Sequence, residues 1–158
     1  MVADPSLVRV PGPWRHRSVA ANGARFHVVT AGPSDDPADT CAPAAPARVP
    51  IVLLHGFPQF WYAWRHQIPA LAAAGHPVIA PDLRGFAGSD KPPGRHDTAV
   101  FVDDVAGIVR ALGFSGALIA GHGFGATVAW SMPALAPEVT RGIVVLGLDA
   151  SEEALSAS

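Results

Sequence analysis

The segment Gly121-His122-Gly123-Phe124-Gly125 lies between a short aliphatic run, Ala117 to Ala120, and an apolar stretch, Phe124 to Leu135. Glycines at this spacing between a strand and a helix fit a nucleophile elbow, a sharp strained turn that lifts its middle side chain above the sheet. The flanking glycines are required because the turn presses backbone against backbone, where a Cβ would collide. Gly121 and Gly125 meet that demand. The middle position is Gly123, so neither carboxylate nor hydroxyl is available where nucleophilic chemistry would start. The seven histidines stand at positions 16, 27, 55, 66, 76, 96 and 122. His55 opens a His-Gly turn and His122 adjoins the elbow; both read as packing residues. Cys41 sits in a polar loop with no His nearby in sequence, without the neighbours that make a thiol nucleophilic. No cofactor or metal site is read from these residues.

The elements that must position the elbow can be read from periodicity. His16 to Ala20 and Arg25 to Ala31 are strand candidates joined through Asn22-Gly23, a strong hairpin signal. Gly32 to Pro50 is rich in Pro, Ala and acidic residues and reads as a flexible surface loop. Ile51 to Leu54 is a continuous apolar run, as expected of a strand buried on both faces. Phe60 to Ala74 reads as a helix with a kink or restart at Pro69 and a stop at Gly75. Val78 to Ala80 is the next strand, and Leu83 to Asp97 a loop broken by Gly and Pro. In Thr98 to Leu112, the residues Phe101, Val105, Ile108, Val109 and Leu112 fall on one helical face. Ala117 to Ala120, Phe124 to Leu135 and Gly142 to Leu148 complete a strand, helix, strand series. Such alternation specifies a mostly parallel, doubly wound α/β sheet of about six strands with helices on both faces.

The 158 residues allow one domain, and 49% hydrophobic content with 15% charged residues suits a folded globular chain. A net charge of -2 without a basic cluster excludes the electrostatic footprint of a nucleic-acid binder. No apolar run reaches the roughly 18 residues of a membrane span, and residues 1–14 lack signal-peptide character. A cytoplasmic location without membrane or nucleic-acid partners is the expectation.

Three segments carry a resemblance that spacing alone does not supply: His55-Gly56-Phe57-Pro58-Gln59-Phe60-Trp61-Tyr62-Ala63-Trp64-Arg65-His66-Gln67, Pro81-Asp82-Leu83-Arg84-Gly85-Phe86-Ala87-Gly88-Ser89-Asp90, and Gly121 to Gly125. In this order they resemble the α/β-hydrolase fold family, and within it the epoxide hydrolase branch, with haloalkane and haloacetate dehalogenases as near relatives. The resemblance implies an Asp at the elbow that attacks an epoxide carbon, and a His-activated water that hydrolyses the resulting ester. It implies an oxyanion hole from the backbone N–H groups of Phe57 and Phe124, and a cis bond at Phe57-Pro58. It places Trp61 on the substrate side, where it could equally pack against the sheet. His55 is the second substrate-side candidate, beside its reading as a structural member of the turn. The implied ligand is a small apolar organic molecule.

The sequence departs from that pattern at catalysis. Gly123 stands at the Asp position, and none of the seven histidines follows the last predicted strand. The expected chain stops before the cap and strands seven and eight, and Tyr62 lies on the wrong segment to polarise an epoxide. Asp149, with Glu152 and Glu153 nearby, is either a candidate acid after strand six or a solvated carboxylate. Asp82, Arg84, Ser89 and Asp90 are expected to brace their loop. The expected organisation is an N-terminal tail at 1–13, a partial hydrolase core at 14–148 containing the 33–49 loop, and a tail at 149–158. The expected function is an epoxide hydrolase-like portion that is catalytically disabled. The rival is a non-catalytic ligand-binding or assembly module that self-associates through the edge strand 142–148.

Overall fold

A computed structural model describes residues 5–33, 49–94 and 96–147. Six strands form one sheet: β1 (Arg15–Ala21), β2 (Ala24–Ala31), β3 (Ile51–Leu54), β4 (Val78–Pro81), β5 (Ala117–His122) and β6 (Thr140–Leu146), in the order β1-β2-β4-β3-β5-β6. β1 pairs antiparallel with β2, and β2 with β4, while the β4-β3-β5-β6 part is parallel. The hairpin turns at Asn22 and Gly23, whose φ values of 44° and 69° are the positive pair that a two-residue turn of matching twist requires.

The helices are α1 (Gln67–Ala73), α2 (Thr98–Ala111) and α3 (Phe124–Leu135). The strands' two-residue period sends alternate side chains to opposite layers. Val28, Val52, Leu54, Ile79 and Ile119 join the layer beneath α2 and α3. Val29, Leu53, Val78 and Ala80 join Trp61, Trp64 and Ile68 on the other face. Each fully buried Val, Leu or Ile contributes about 1.5–3 kcal/mol, which is why these short strands hold. The Asp97 side chain accepts from the Val100 N–H and caps α2.

Two elements differ from the sequence expectation by more than a shift at their ends. Phe60 to Ala74 is not one helix: a 3-10 turn spans Trp61–Trp64, and α1 begins at Gln67. Pro69 therefore sits in the first turn of α1, where its missing N–H has no intrahelical acceptor to lose, and the chain restarts rather than kinks. The last strand is Thr140–Leu146 rather than 142–148, with a register irregularity opposite Ala117/Leu118 and Gly147 at φ 63° beyond its end. The greater part of the 33–49 loop, with Cys41, lies outside the described residues, as does Leu148.

β3 occupies the switch point of the parallel part: the chain continues from it to β4 on one side and later enters β5 on the other. Crevices in open α/β sheets form outside the carboxyl ends of strands at such a point. The turns after β3 and β5 are the His55-Gly56 turn and the Gly121 to Gly125 elbow.

Candidate functional site

The elbow closes because its outer glycines are sterically obligatory. A Cβ on Gly121 would lie 2.1 Å from the Gly125 carbonyl oxygen, and one on Gly125 would lie 2.3 Å from the Leu54 carbonyl oxygen. Gly123 differs. Its backbone sits at φ 55°, ψ -121°, a region that costs an L-residue strain. A Cβ there would meet only Gly56 Cα, at 3.5 Å. The position is strained for a side chain yet has room for one. Its N–H donates to the Leu146 carbonyl at 3.0 Å, and its own carbonyl accepts from the Ala126 N–H at 2.9 Å, so the turn is tied to β6 and to α3.

The turn after β3 approaches from the other side. Gly56 is confined by the His122 carbonyl, 3.0 Å from where its Cβ would stand. The Phe57-Pro58 bond is cis, and the Phe57 side chain is 75% exposed, packed edge-on against Phe86. Phe124 opens α3 and packs edge-on against Phe101 of α2. Neither the Phe57 nor the Phe124 N–H meets a backbone acceptor among the described residues. His122 is exposed beside the elbow, its ring against Gly56 and Gly147.

The two substrate-side candidates, His55 and Trp61, are placed in the interior. His55 is fully buried; its Nε2 accepts from the Leu83 N–H at 3.0 Å, and its Nδ1 donates to the Gly56 carbonyl at 3.0 Å. Burial pushes its imidazole below the ordinary value of 6.5, against smaller opposing effects of that carbonyl and of the Asp82 charge. Both ring nitrogens are engaged by backbone groups of the fold. Trp61 is also fully buried, donating through Nε1 to the Val8 carbonyl at 2.7 Å and packed edge-on against Trp14 and His16. It packs as a core residue among the described residues. Asp149, Glu152 and Glu153 lie outside the described residues.

The loop after β4 is braced as expected, by more partners than the sequence suggested. Asp82 accepts from the Trp61 N–H at 2.9 Å, from the Gly88 N–H at 3.1 Å and from His27 Nδ1 at 2.8 Å. Ser89 Oγ donates to the Asp82 carbonyl, and Asp90 accepts from the Arg25 N–H. Arg84 makes a two-pronged pair with Asp104 of α2, at 2.5 and 2.7 Å, and donates to the Asn22 carbonyl. Sequence reading missed Asp104, His27 and His16. Asp104 left a legible signal: it stands three residues after Phe101 and one before Val105, on the core face of α2, where a carboxylate needs a buried cation.

Among the described residues no group of three His, Cys, Asp or Glu could hold a metal ion, and no helix is long and apolar enough to cross a membrane. A concavity of about 930 Å³ lies at the other end of the strands, bordered by Trp14, Arg17, Gly32, Pro33 and Leu112. None of its lining residues belongs to the elbow.

A mixed sheet with an elbow after β5, faced by the turn after β3, defines an α/β-hydrolase architecture. The chain belongs to the alpha/beta hydrolase fold family, whose model matches residues 49–157. It is 41% identical over 131 residues to epoxide hydrolase B of Mycobacterium tuberculosis, covering 82% of this chain and 34% of that protein. It is 40% identical over 134 residues to the AB hydrolase superfamily protein YfhM of Bacillus subtilis, covering 82% of this chain and 42% of that one. Among solved structures, epoxide hydrolase A from Mycobacterium thermoresistibile superposes with a TM-score of 0.74 at 35% identity, covering 91% of this chain and 44% of that one. Its ancestry is therefore epoxide hydrolase-like. The chain spans about 34–42% of the length of the curated relatives named here.

Proposed function

We propose that this chain is an epoxide hydrolase-like portion of an α/β-hydrolase core that retains the backbone of the site and does not carry out the covalent step. The observation that carries this reading is Gly123, at φ 55° in a turn whose outer glycines are fixed by backbone contacts. Without a side chain at that point, no carboxylate can form an ester with an epoxide carbon. The Phe57 and Phe124 N–H groups remain available as oxyanion donors, and a small apolar organic molecule is the ligand suited to the apolar surroundings of Phe57, Phe86 and Phe124.

Purified protein should show no hydrolysis of epoxides, esters or haloalkanes. Turnover that is abolished by inhibitors shaped for the elbow would overturn the reading. The Gly123→Asp variant probes the same point from the other direction. Its carboxylate oxygen should form one ester bond to an epoxide carbon as the ring C–O bond breaks, with the freed alkoxide taking a proton from water. Mass spectrometry should then record a single adduct, and steady turnover would reveal a base that this reading lacks.

A second reading, self-assembly of two copies, is favoured by β6. It is an edge strand of the sheet among the described residues, with Val144 53% and Leu146 45% exposed. An exposed apolar edge tends to pair with another chain. Sedimentation over a concentration series decides between a discrete dimer and a monomer.

A further inference from the structure

The best-connected titratable cluster outside the elbow joins three elements and the segment before β1. His16 Nε2 lies 3.0 Å from the Val10 carbonyl oxygen, His16 Nδ1 lies 2.9 Å from His27 Nε2, and His27 Nδ1 lies 2.8 Å from Asp82 Oδ2. The two rings are tilted by 16° with centroids 5.2 Å apart, as an in-plane N–H···N bond between them requires. Asp82 is fully buried and His27 is 5% exposed.

Counting protons along this chain gives a definite result. A carbonyl only accepts, so His16 Nε2 carries hydrogen. The bond between the rings needs one hydrogen, on either nitrogen. Both carboxyl oxygens of Asp82 already accept from backbone N–H groups, Oδ1 from Trp61 and Oδ2 from Gly88, so the hydrogen of the third bond lies on His27 Nδ1. Three hydrogens are needed, and two neutral imidazoles bring two. We infer that His16 and His27 share one extra proton, held against the Asp82 carboxylate, and that this proton fastens the segment preceding β1 to the β1-β2 hairpin and the loop after β4.

The surroundings agree with a single cation balanced by a single anion. From the turn after β3, His55 faces the same carboxylate and feels its charge. The 3-10 turn presents the Trp61 ring, and the preceding segment presents Trp14 and the Val8 and Val10 carbonyls. Ser89 Oγ accepts from the His27 backbone N–H. Arg15 and Arg17 flank His16 on β1 and alternate to the opposite face. Arg25 shares β2 with His27, and its backbone N–H is taken by Asp90. Arg84 is committed to Asp104, and Lys91 donates to the Ala87 and Ser89 carbonyls. Removing the shared proton leaves two N–H groups for three bonds. One bond must then break, and the Val10 carbonyl, which Trp14 Nε1 can still satisfy at 2.9 Å, is the cheapest partner to lose. The segment carrying Val8 and Val10 would thereby loosen over Trp61 as pH rises.

The test is nitrogen NMR of the full chain with labelled histidine, titrated between about pH 5 and 8, where imidazole changes charge. At the acid end the two rings should contribute three exchange-protected N–H signals. One should disappear in a single transition sensed by both rings together, as coupled sites titrate. The Trp61 indole N–H should exchange faster after that transition. In His16→Gln the amide can donate to both Val10 O and His27 Nε2 without the extra proton, so the pH-dependent change in Trp61 exchange should vanish. Two protected N–H signals at the acid end, separate transitions for the two rings, or an unchanged Trp61 response in His16→Gln would each overturn the inference. The wild-type spectrum decides the proton count even if the variant does not fold.

Discussion

The elbow and the braced loop after β4 sit at the same end of the sheet and are built on opposite terms. At the elbow the chain is held by backbone: Gly121 and Gly125 admit no side chain, and Gly123, which has none, is tied to Leu146 and Ala126. After β4 the chain is held by buried charged side chains: Asp82 gathers three donors, and Arg84 and Asp104 complete one another. The difference separates what a fold needs from what a reaction needs. Removing a buried charge leaves its partner unpaired, so those residues are fixed by stability. Removing the elbow nucleophile leaves nothing unpaired, and glycine relaxes a strained backbone. A scaffold can therefore remain intact while its reactive position is empty.

The strongest break of that contrast is Asp104→Ala. Arg84 is 7% exposed, and without its carboxylate it would be a buried cation left with the Asn22 carbonyl and the face of the Phe26 ring. A loss of about 3–5 kcal/mol is expected, read as a lower urea midpoint. A loss under about 1 kcal/mol would mean that water reaches the pair as it reaches surface salt bridges.

The elbow itself offers an internal pair of alanine substitutions. Gly125→Ala drives a methyl into the Leu54 carbonyl, and neither β3 nor α3 can yield without shifting backbone. Its cost should lie at or above the upper end of the about 1–3 kcal/mol range for overpacking. Gly123→Ala meets only an ordinary contact with Gly56 Cα, and its cost comes chiefly from the backbone conformation, about 1–3 kcal/mol. Equal costs at the two positions would remove the distinction between steric and conformational glycine on which the reading of Gly123 rests.

These glycines explain why the elbow was legible in the sequence: five contiguous residues state the turn, and Asn22-Gly23 states the hairpin in the same local way. The ends of α3, Phe124 and Leu135, follow from the glycine pattern before it and the turn after it. The polar cluster was not legible because its members are distant in the chain. His16 and His27 meet across a hairpin, and His27 meets Asp82 55 residues later. Periodicity reports which face a residue occupies and says nothing of its partner there. Trp61 shows the same limit: its helical context is visible, but the Val8 carbonyl that fixes its indole comes from a segment with no pattern.

His55 sharpens the comparison through pH. Its folded-state pKa is lowered by burial, so below 6.5 the unfolded chain binds a proton that the folded chain resists. Its contribution to stability is complete above 6.5 and is lost progressively as pH falls below that value. The shared proton at His16 and His27 acts with the opposite sign. The two are separated by NMR: the His55 ring should keep its Nδ1–H neutral pattern as pH falls below 6.5. A His55 ring that gains its second N–H near 6.5, as an unperturbed imidazole does, would show that the Leu83 N–H bond to Nε2 does not hold the neutral form.

The smallest effect on stability is expected at β6, and it bears on what the open edge does. Leu118, Val144 and Leu146 share one face of β5 and β6, opposite the layer that packs Ile143 and Val145 beneath α3. Among the described residues the 3-10 turn and α1 cover that face mainly over β2, β4 and β3. Val144→Lys places a charge on this exposed position, where a substitution away from the core changes stability by no more than about 0.5 kcal/mol. A like charge from each copy would meet across an antiparallel β6-β6 pair. If sedimentation finds wild type dimeric and Val144→Lys monomeric with an unchanged urea midpoint, the edge serves assembly independently of the empty elbow. If both are monomers, the exposed valine and leucine have no role in joining copies of this chain, and the disabled-site reading stands without its rival.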